Sequence, residues 1–144
     1  MFRDGKTPKS GFKLRGEWTE LLFMTRATEH GLRVIKPWGD SSRYDFVVET
    51  GGRFLRVQVK STSCKRNNHY VCSIDGRGKN PYTAADIDFF AIYVIPLDIW
   101  YIIPIAASSS AINLSPHNSL SQHAAYREAW HLLRGEKNES QTNM

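Results

Sequence analysis

The stretch RFLRVQVK, residues 53–60, carries a carboxamide and an amine on alternate positions. As a strand it sends Leu55, Val57 and Val59 to one face and Phe54, Arg56, Gln58 and Lys60 to the other, because side chains alternate along a strand. The preceding run RYDFVVE, residues 43–49, puts Arg43, Asp45 and Val47 on one side and Tyr44, Phe46 and Val48 on the other. The short connection TGG joins the two runs and predicts an antiparallel hairpin. Asp45, near the start of one strand, then lies close to Gln58 and Lys60, near the end of the other. A carboxylate, an amide oxygen and an ammonium are expected together at one end of a sheet.

A fourth group comes from an earlier helix. GEWTELLFMTRATEH, residues 16–30, contains no proline and is followed by Gly31, the residue type favoured just past a helix end. At 100° per residue its solvent side is marked by Thr19, Arg26 and His30, while Glu17 and Glu20 lie among Leu21, Phe23, Met24 and Ala27. A carboxylate on the buried side of a helix must find a proton, a cation or a metal ion. Lys60 is one candidate partner, and a divalent ion is another.

The elements that must hold these groups are legible from periodicity and turn chemistry. Short apolar runs at 33–36, 43–49, 53–60 and 69–74 are separated by PWGDSS, TGG and CKRNN, and are expected to be strands. NPYTAADID can form one helical turn before strands at about 89–95 and 100–105, and AASSSAINLSPHNSLS is expected to be a polar loop. A last helix is predicted from Tyr126, Trp130 and Leu133, which fall on one stripe. The order implies a single mixed sheet with helices covering its faces. Residues 1–13 are assigned to a loose basic arm, 14–134 to one domain and 135–144 to a disordered polar tail.

The chain has 144 residues, 41% apolar and 12% aromatic, which suffices for one buried core. Its formal charge of +5 favours a polyanionic partner. Two cysteines, Cys64 and Cys72, are too few for a disulfide framework, and MFRDGKTPKS has no apolar signal region, so the cytoplasm is the expected compartment. The apolar run 87–107 is interrupted by Pro96, Asp98 and Pro104, so two buried strands around a turn explain it better than a membrane span.

These pieces together resemble the PD-(D/E)XK nucleases. The resemblance runs from about Gly16 to Pro104 and rests on GEWTE opening the helix, PWGDSSRYD leading into the acidic strand, VQVKSTS, and the later YTAADIDFFAIY and YIIP. The subgroup most resembled has Gln where other members carry Asp or Glu before x-Lys; it includes small bacterial endonuclease domains and a group I intron homing endonuclease. In that pattern the helix glutamate stands four residues after a glycine, which selects Glu20, after Gly16, over Glu17. The implied fold is α/β (α+β), with a restriction-endonuclease-like mixed central β-sheet flanked by α-helices. The implied metal ligands are Asp45 and Gln58, with Glu20 a direct or outer ligand and Lys60 the catalytic lysine. The implied cofactor is Mg²⁺, with Mn²⁺ as a substitute, and the implied reaction is phosphodiester hydrolysis in DNA, double-stranded or branched. A homodimer or higher homo-oligomer is expected, since one site cuts one strand of a duplex.

Hydroxyls, amides and cations follow the candidate site in STSCKRNN, so Ser61, Thr62, Lys65 and Arg66 are candidate phosphate contacts, with Arg43 and Arg56 beside them and Arg77 and Lys79 extending the track. Trp38 is expected at the nucleic-acid surface, whereas Trp18, Trp100 and Trp130 are expected in the core. Other arrangements carry less. Cys64, His69 and Cys72 lack a fourth zinc ligand at a usual spacing, and buried free thiols are expected instead. His117 and His123 among serines lack a nucleophile elbow. GRGKN is too short for a phosphate-binding loop. Asp86 and Asp88 fit turn and capping roles as well as catalytic ones. The competing functions are a structural Asp45–Lys60 ion pair, a nuclease fold that binds DNA without cutting it, and a restriction or defence subunit whose specificity lies in a partner.

Overall fold

A computed structural model describes residues 11–74, 80–109 and 111–135. The first element, α1 (Phe12–Glu29), begins one turn earlier than the sequence suggests. FKLR contains no helix breaker, so Phe12 and Lys13, assigned above to the loose arm, continue the helix; residues 1–10 lie outside the described part. Its buried stripe is Thr19, Phe23 and Ala27, which corrects the expected orientation. Thr19 can face the core because its hydroxyl donates to the Arg15 carbonyl at 2.8 Å. The rotation leaves Leu21 exposed and brings Phe23 against Phe46, Trp100 and Trp130.

Eight strands follow: β1 (Arg33–Ile35), β2 (Phe46–Thr50), β3 (Arg53–Thr62), β4 (Lys65–Arg66), β5 (His69–Ser73), β6 (Phe89–Val94), β7 (Ile99–Pro104) and β8 (Ala111–Leu114). Five of them form a mixed sheet in the order β1-β2-β3-β6-β7, antiparallel except for the β3–β6 pair. The β2–β3 hairpin turns on Gly51 and Gly52, both at positive φ, as a two-residue hairpin loop requires. The apolar run is β6, a 3-10 turn and β7, with the turn holding Pro96. No helix among the described residues is long and apolar enough to cross a membrane.

Each face of this sheet has its own cover. Phe46, Val48, Val57, Val59, Tyr93 and Ile102 pack against α1 and the C-terminal Trp130 and Leu133. On the other face, Phe90, Ile92, Val94 and Ile103 pack against Tyr70, Cys72, Ile112 and Leu114 of a second, three-stranded sheet, β4-β5-β8. The expectation of helices over both faces is therefore corrected: α1 is the sole α-helix among the described residues, and a small sheet takes the other side. Strand β8 lies inside the supposed serine-rich loop. Its AINL alternates, burying Ile112 and Leu114 and exposing Ala111 and Asn113.

The predicted last helix is also absent. Two 3-10 turns, Ala124–Tyr126 and Trp130–Arg134, stand in its place, separated by Glu128 at φ 50. Glu128 makes three bonds here: its N–H donates to the Trp100 carbonyl at 2.7 Å, which takes it out of any helical ladder, and its carboxylate accepts from Trp100 N–H at 2.6 Å and Trp130 Nε1 at 2.8 Å. Trp100 and Trp130 are core residues as expected, Trp18 is half-buried, and Trp38 is fully exposed.

Candidate functional site

The β2–β3 register pairs Phe46 with Val57, which puts Asp45, just before β2, opposite Gln58. Two bonds bracket it there. The Asp45 N–H donates to the Val57 carbonyl at 2.9 Å, and the Val59 N–H donates to Asp45 Oδ2 at 2.8 Å. Strand alternation buries Val57 and Val59 under α1 and turns Gln58 and Lys60 the other way. Glu20 reaches the same place from α1. A cleft of about 550 Å³ is lined by Arg15, Glu20, Asp45, Gln58, Lys60 and Ser61, so the structure brings the four sequence candidates into one space. A neighbouring cavity of about 540 Å³ shares Glu20 and Asp45 with it. Glu17 borders only that second cavity and is exposed, so the geometry prefers Glu20 as the helix carboxylate.

The electrostatics of this corner are set first by the burial of Asp45. Burial pushes the Asp45 carboxyl up from 3.8 to about 6, against the Val59 N–H bond, and the nearby Glu20 charge raises it further while Lys60 and Lys36 pull it down. Glu20 is itself held by Lys36, whose Nζ lies 3.2 Å from Oε1. Lys60 Nζ sits 5.6 Å from the centre of the Tyr82 ring. Two carboxylates and an amide oxygen form a set of hard donors, and a divalent cation beside Asp45 would favour its ionised form against the cost of burial. Among the described residues there is no group of three His, Cys, Asp or Glu placed to hold a metal; the cleft offers the carboxylates of Glu20 and Asp45 together with the Gln58 amide. The donor set is of the kind that holds a hard divalent cation.

The proposed phosphate contacts divide sharply. Arg56 is consumed inside the fold: Nε and Nη2 bond Asp88, while Nη1 and Nη2 bond the Ala85 and Ala84 carbonyls at 2.6 and 2.8 Å. Arg43 is consumed as well, bonding Asp86 and the Asn80 carbonyl, both at 2.8 Å, and covering the Tyr82 ring. Thr62 is buried, its hydroxyl donating to the Val71 carbonyl at 2.6 Å and accepting from the Cys64 N–H. These three side chains are engaged within the fold, and Asp86 and Asp88 anchor two of them. Ser61 borders the cleft, and Lys65 and Arg66 are exposed on β4. Arg77 and Lys79 lie outside the described residues. Cys72 is buried, its thiol pushed up to about 11 by burial, whereas Cys64 is exposed and not buried as expected.

Sequence reasoning missed Arg15, Lys36 and Tyr82. Starting the helix at Phe12 would have carried Arg15 onto α1, one turn before Glu20. No spacing rule links Lys36 or Tyr82 to the site, since loops deliver both.

Compared with known proteins, residues 11–133 match the family described as PD-(D/E)XK endonuclease. Protein 5.3 of Escherichia phage T7 is 31% identical over 84 residues, which are 56% of this chain and 71% of the phage protein. The structure of a bacterial homing endonuclease, I-Ssp6803I, superposes with a TM-score of 0.74 at 31% identity, over 88% of this chain and 95% of that one. The Holliday junction resolvase Hjc of Archaeoglobus fulgidus superposes with a TM-score of 0.54 at 14% identity, over 87% of this chain and 99% of that one, a likeness of fold alone.

Proposed function

The chain belongs to the PD-(D/E)XK endonuclease family, and from that premise we propose that it is a Mg²⁺-dependent enzyme hydrolysing phosphodiester bonds in DNA, double-stranded or branched. The observation that carries this reading is the pair of bonds fixing the Asp45 carboxylate opposite Gln58, with Glu20 and Lys60 on the same cleft. Asp45, the Gln58 amide oxygen and Glu20 would hold the ion, and the Val59 carbonyl is a candidate further oxygen. Mg²⁺, or Mn²⁺ in its place, would supply positive charge for the phosphoryl oxygens and acidify a water. Lys60 presents an ammonium to the same cleft, where it orients the attacking water and stabilises charge that grows on the phosphate. DNA as substrate is supported by the homing endonuclease among its relatives.

The test is supercoiled plasmid incubated with the protein, with Mg²⁺ or with chelator. Nicking in Mg²⁺ alone is expected, and Lys60→Ala should lower it at least a hundredfold while leaving a gel shift intact, in line with the loss of one transition-state charge partner. Cleavage undiminished in Lys60→Ala would remove that residue from the mechanism. One observation favours a second reading, a fold that binds DNA without cutting: Gln58 leaves the site two carboxylates where a third would tighten metal binding. A salt-sensitive gel shift with no cleavage in either metal would select it.

A further inference from the structure

We propose that Arg15 and Ser61 form a seat for a DNA phosphate next to the scissile one, an inference that rests on the nuclease reading above. The arginines that the sequence pointed to are spent on Asp86, Asp88 and backbone carbonyls. Arg15 is different. Its one side-chain bond among the described residues runs from Nε to Ser61 Oγ at 3.3 Å, and neither terminal nitrogen has a carboxylate or carbonyl partner there. Half-buried on the cleft wall, it is a guanidinium without a counter-ion, and such a group calls for an anion. Because Ser61 fixes Nε, the planar fork keeps its two terminal nitrogens for a bidentate contact, the geometry that phosphate oxygens match.

The cleft is polarised to suit. Glu20 and Asp45 make its acidic side, where a cation would sit under the scissile phosphate. Lys60 and Ser61, successive residues of β3, lead from there to Arg15, and the chain continues past Ser63 to the exposed Lys65 and Arg66 on β4. A single strand laid along this line meets positive charge from the reacting phosphate outward. Strand alternation also explains the pairing: Ser61 projects to the face opposite Lys60, which is the α1 side, where Arg15 waits.

The measurement is equilibrium binding of a fluorescent duplex in chelator, where cleavage plays no part, across a salt series. Arg15→Ala should weaken binding about tenfold and reduce the salt slope by about one, the signature of one lost phosphate contact. Arg15→Lys should restore the slope but only part of the affinity, since it keeps the charge and loses the fork. Replacing single phosphates with neutral methylphosphonates locates the seat: at one position beside the cut, the replacement should weaken wild type and leave Arg15→Ala unaffected. Thermal midpoints should match, because the one bond lost is long and partly exposed. A wild-type salt slope in Arg15→Ala, or additive losses at every methylphosphonate position, would overturn the seat while plasmid nicking in Mg²⁺ still upheld the nuclease. A wild type that neither binds nor cuts DNA would overturn both.

Discussion

Asp45 is held in a place that its charge resists. The pKa rises from 3.8 in an unperturbed carboxyl to about 6 in the fold, with burial the main cause, so between those pH values the folded chain keeps a proton that the unfolded chain releases. Stability therefore falls as pH rises through that window, by up to about 3 kcal/mol once the group is ionised in both states. Asp45→Asn keeps an oxygen for the Val59 N–H and removes the charge. Without metal it should be about 1–3 kcal/mol more stable than wild type at pH 7.5 and nearly equal to it at pH 4, with cleavage abolished. Urea unfolding at the two pH values checks this, and a gap of the same size at both would show that ionisation is not the cause. Asp45, Gln58 and Lys60 were legible in the sequence because a two-glycine turn fixes the hairpin and alternation fixes the faces. The roles of Arg43 and Arg56 were not legible: their partners lie about thirty to forty residues downstream, and no local pattern announces them.

Among the elements, the C-terminal segment depends on Glu128 as a connector. One carboxylate satisfies both the Trp100 N–H and the Trp130 indole, and holding it there requires a positive φ that a non-glycine residue adopts at a cost of about 1 kcal/mol. Glu128→Ala should destabilise the fold by about 2 kcal/mol, leaving two donors poorly paired. Glu128→Gly loses the same carboxylate but relaxes the backbone, so its loss should be smaller by roughly 1 kcal/mol. Denaturant midpoints of the two variants separate the contributions; equal losses would mean that the backbone conformation costs nothing. The same residue explains why a helix was expected here and not found. Tyr126, Trp130 and Leu133 have helical spacing, yet Trp130 and Leu133 face the core under α1 while Tyr126 packs with the other core, on the far side of the positive-φ residue Glu128. Strand β8 escaped notice for a related reason, since four alternating residues in a serine-rich stretch become a strand only when β5 offers them an edge.

The whole molecule is a mixed sheet between unlike layers, a helix on one face and a three-stranded sheet on the other, with the acidic corner opening where β2 has not yet begun and β3 runs on. The central sheet was legible, being built from runs bounded by turn residues; its second cover was not, because β4, β5 and β8 are short and are drawn from across residues 65–114. One cleft of this kind serves one strand. A duplex presents two strands of opposite direction, so cutting both in one encounter calls for two copies related by a two-fold axis. A single copy must instead release, turn and bind again. If the active species is a homodimer or larger, linear plasmid should appear in step with association measured by sedimentation, and nicked circles should accumulate below the association range. Raising salt should slow both steps together, since a chain of net charge +5 is drawn to either strand electrostatically. Linear product formed without nicked intermediate, by protein that sediments as a monomer at the same concentration, would refute the two-copy arrangement and require one cleft to reach both strands.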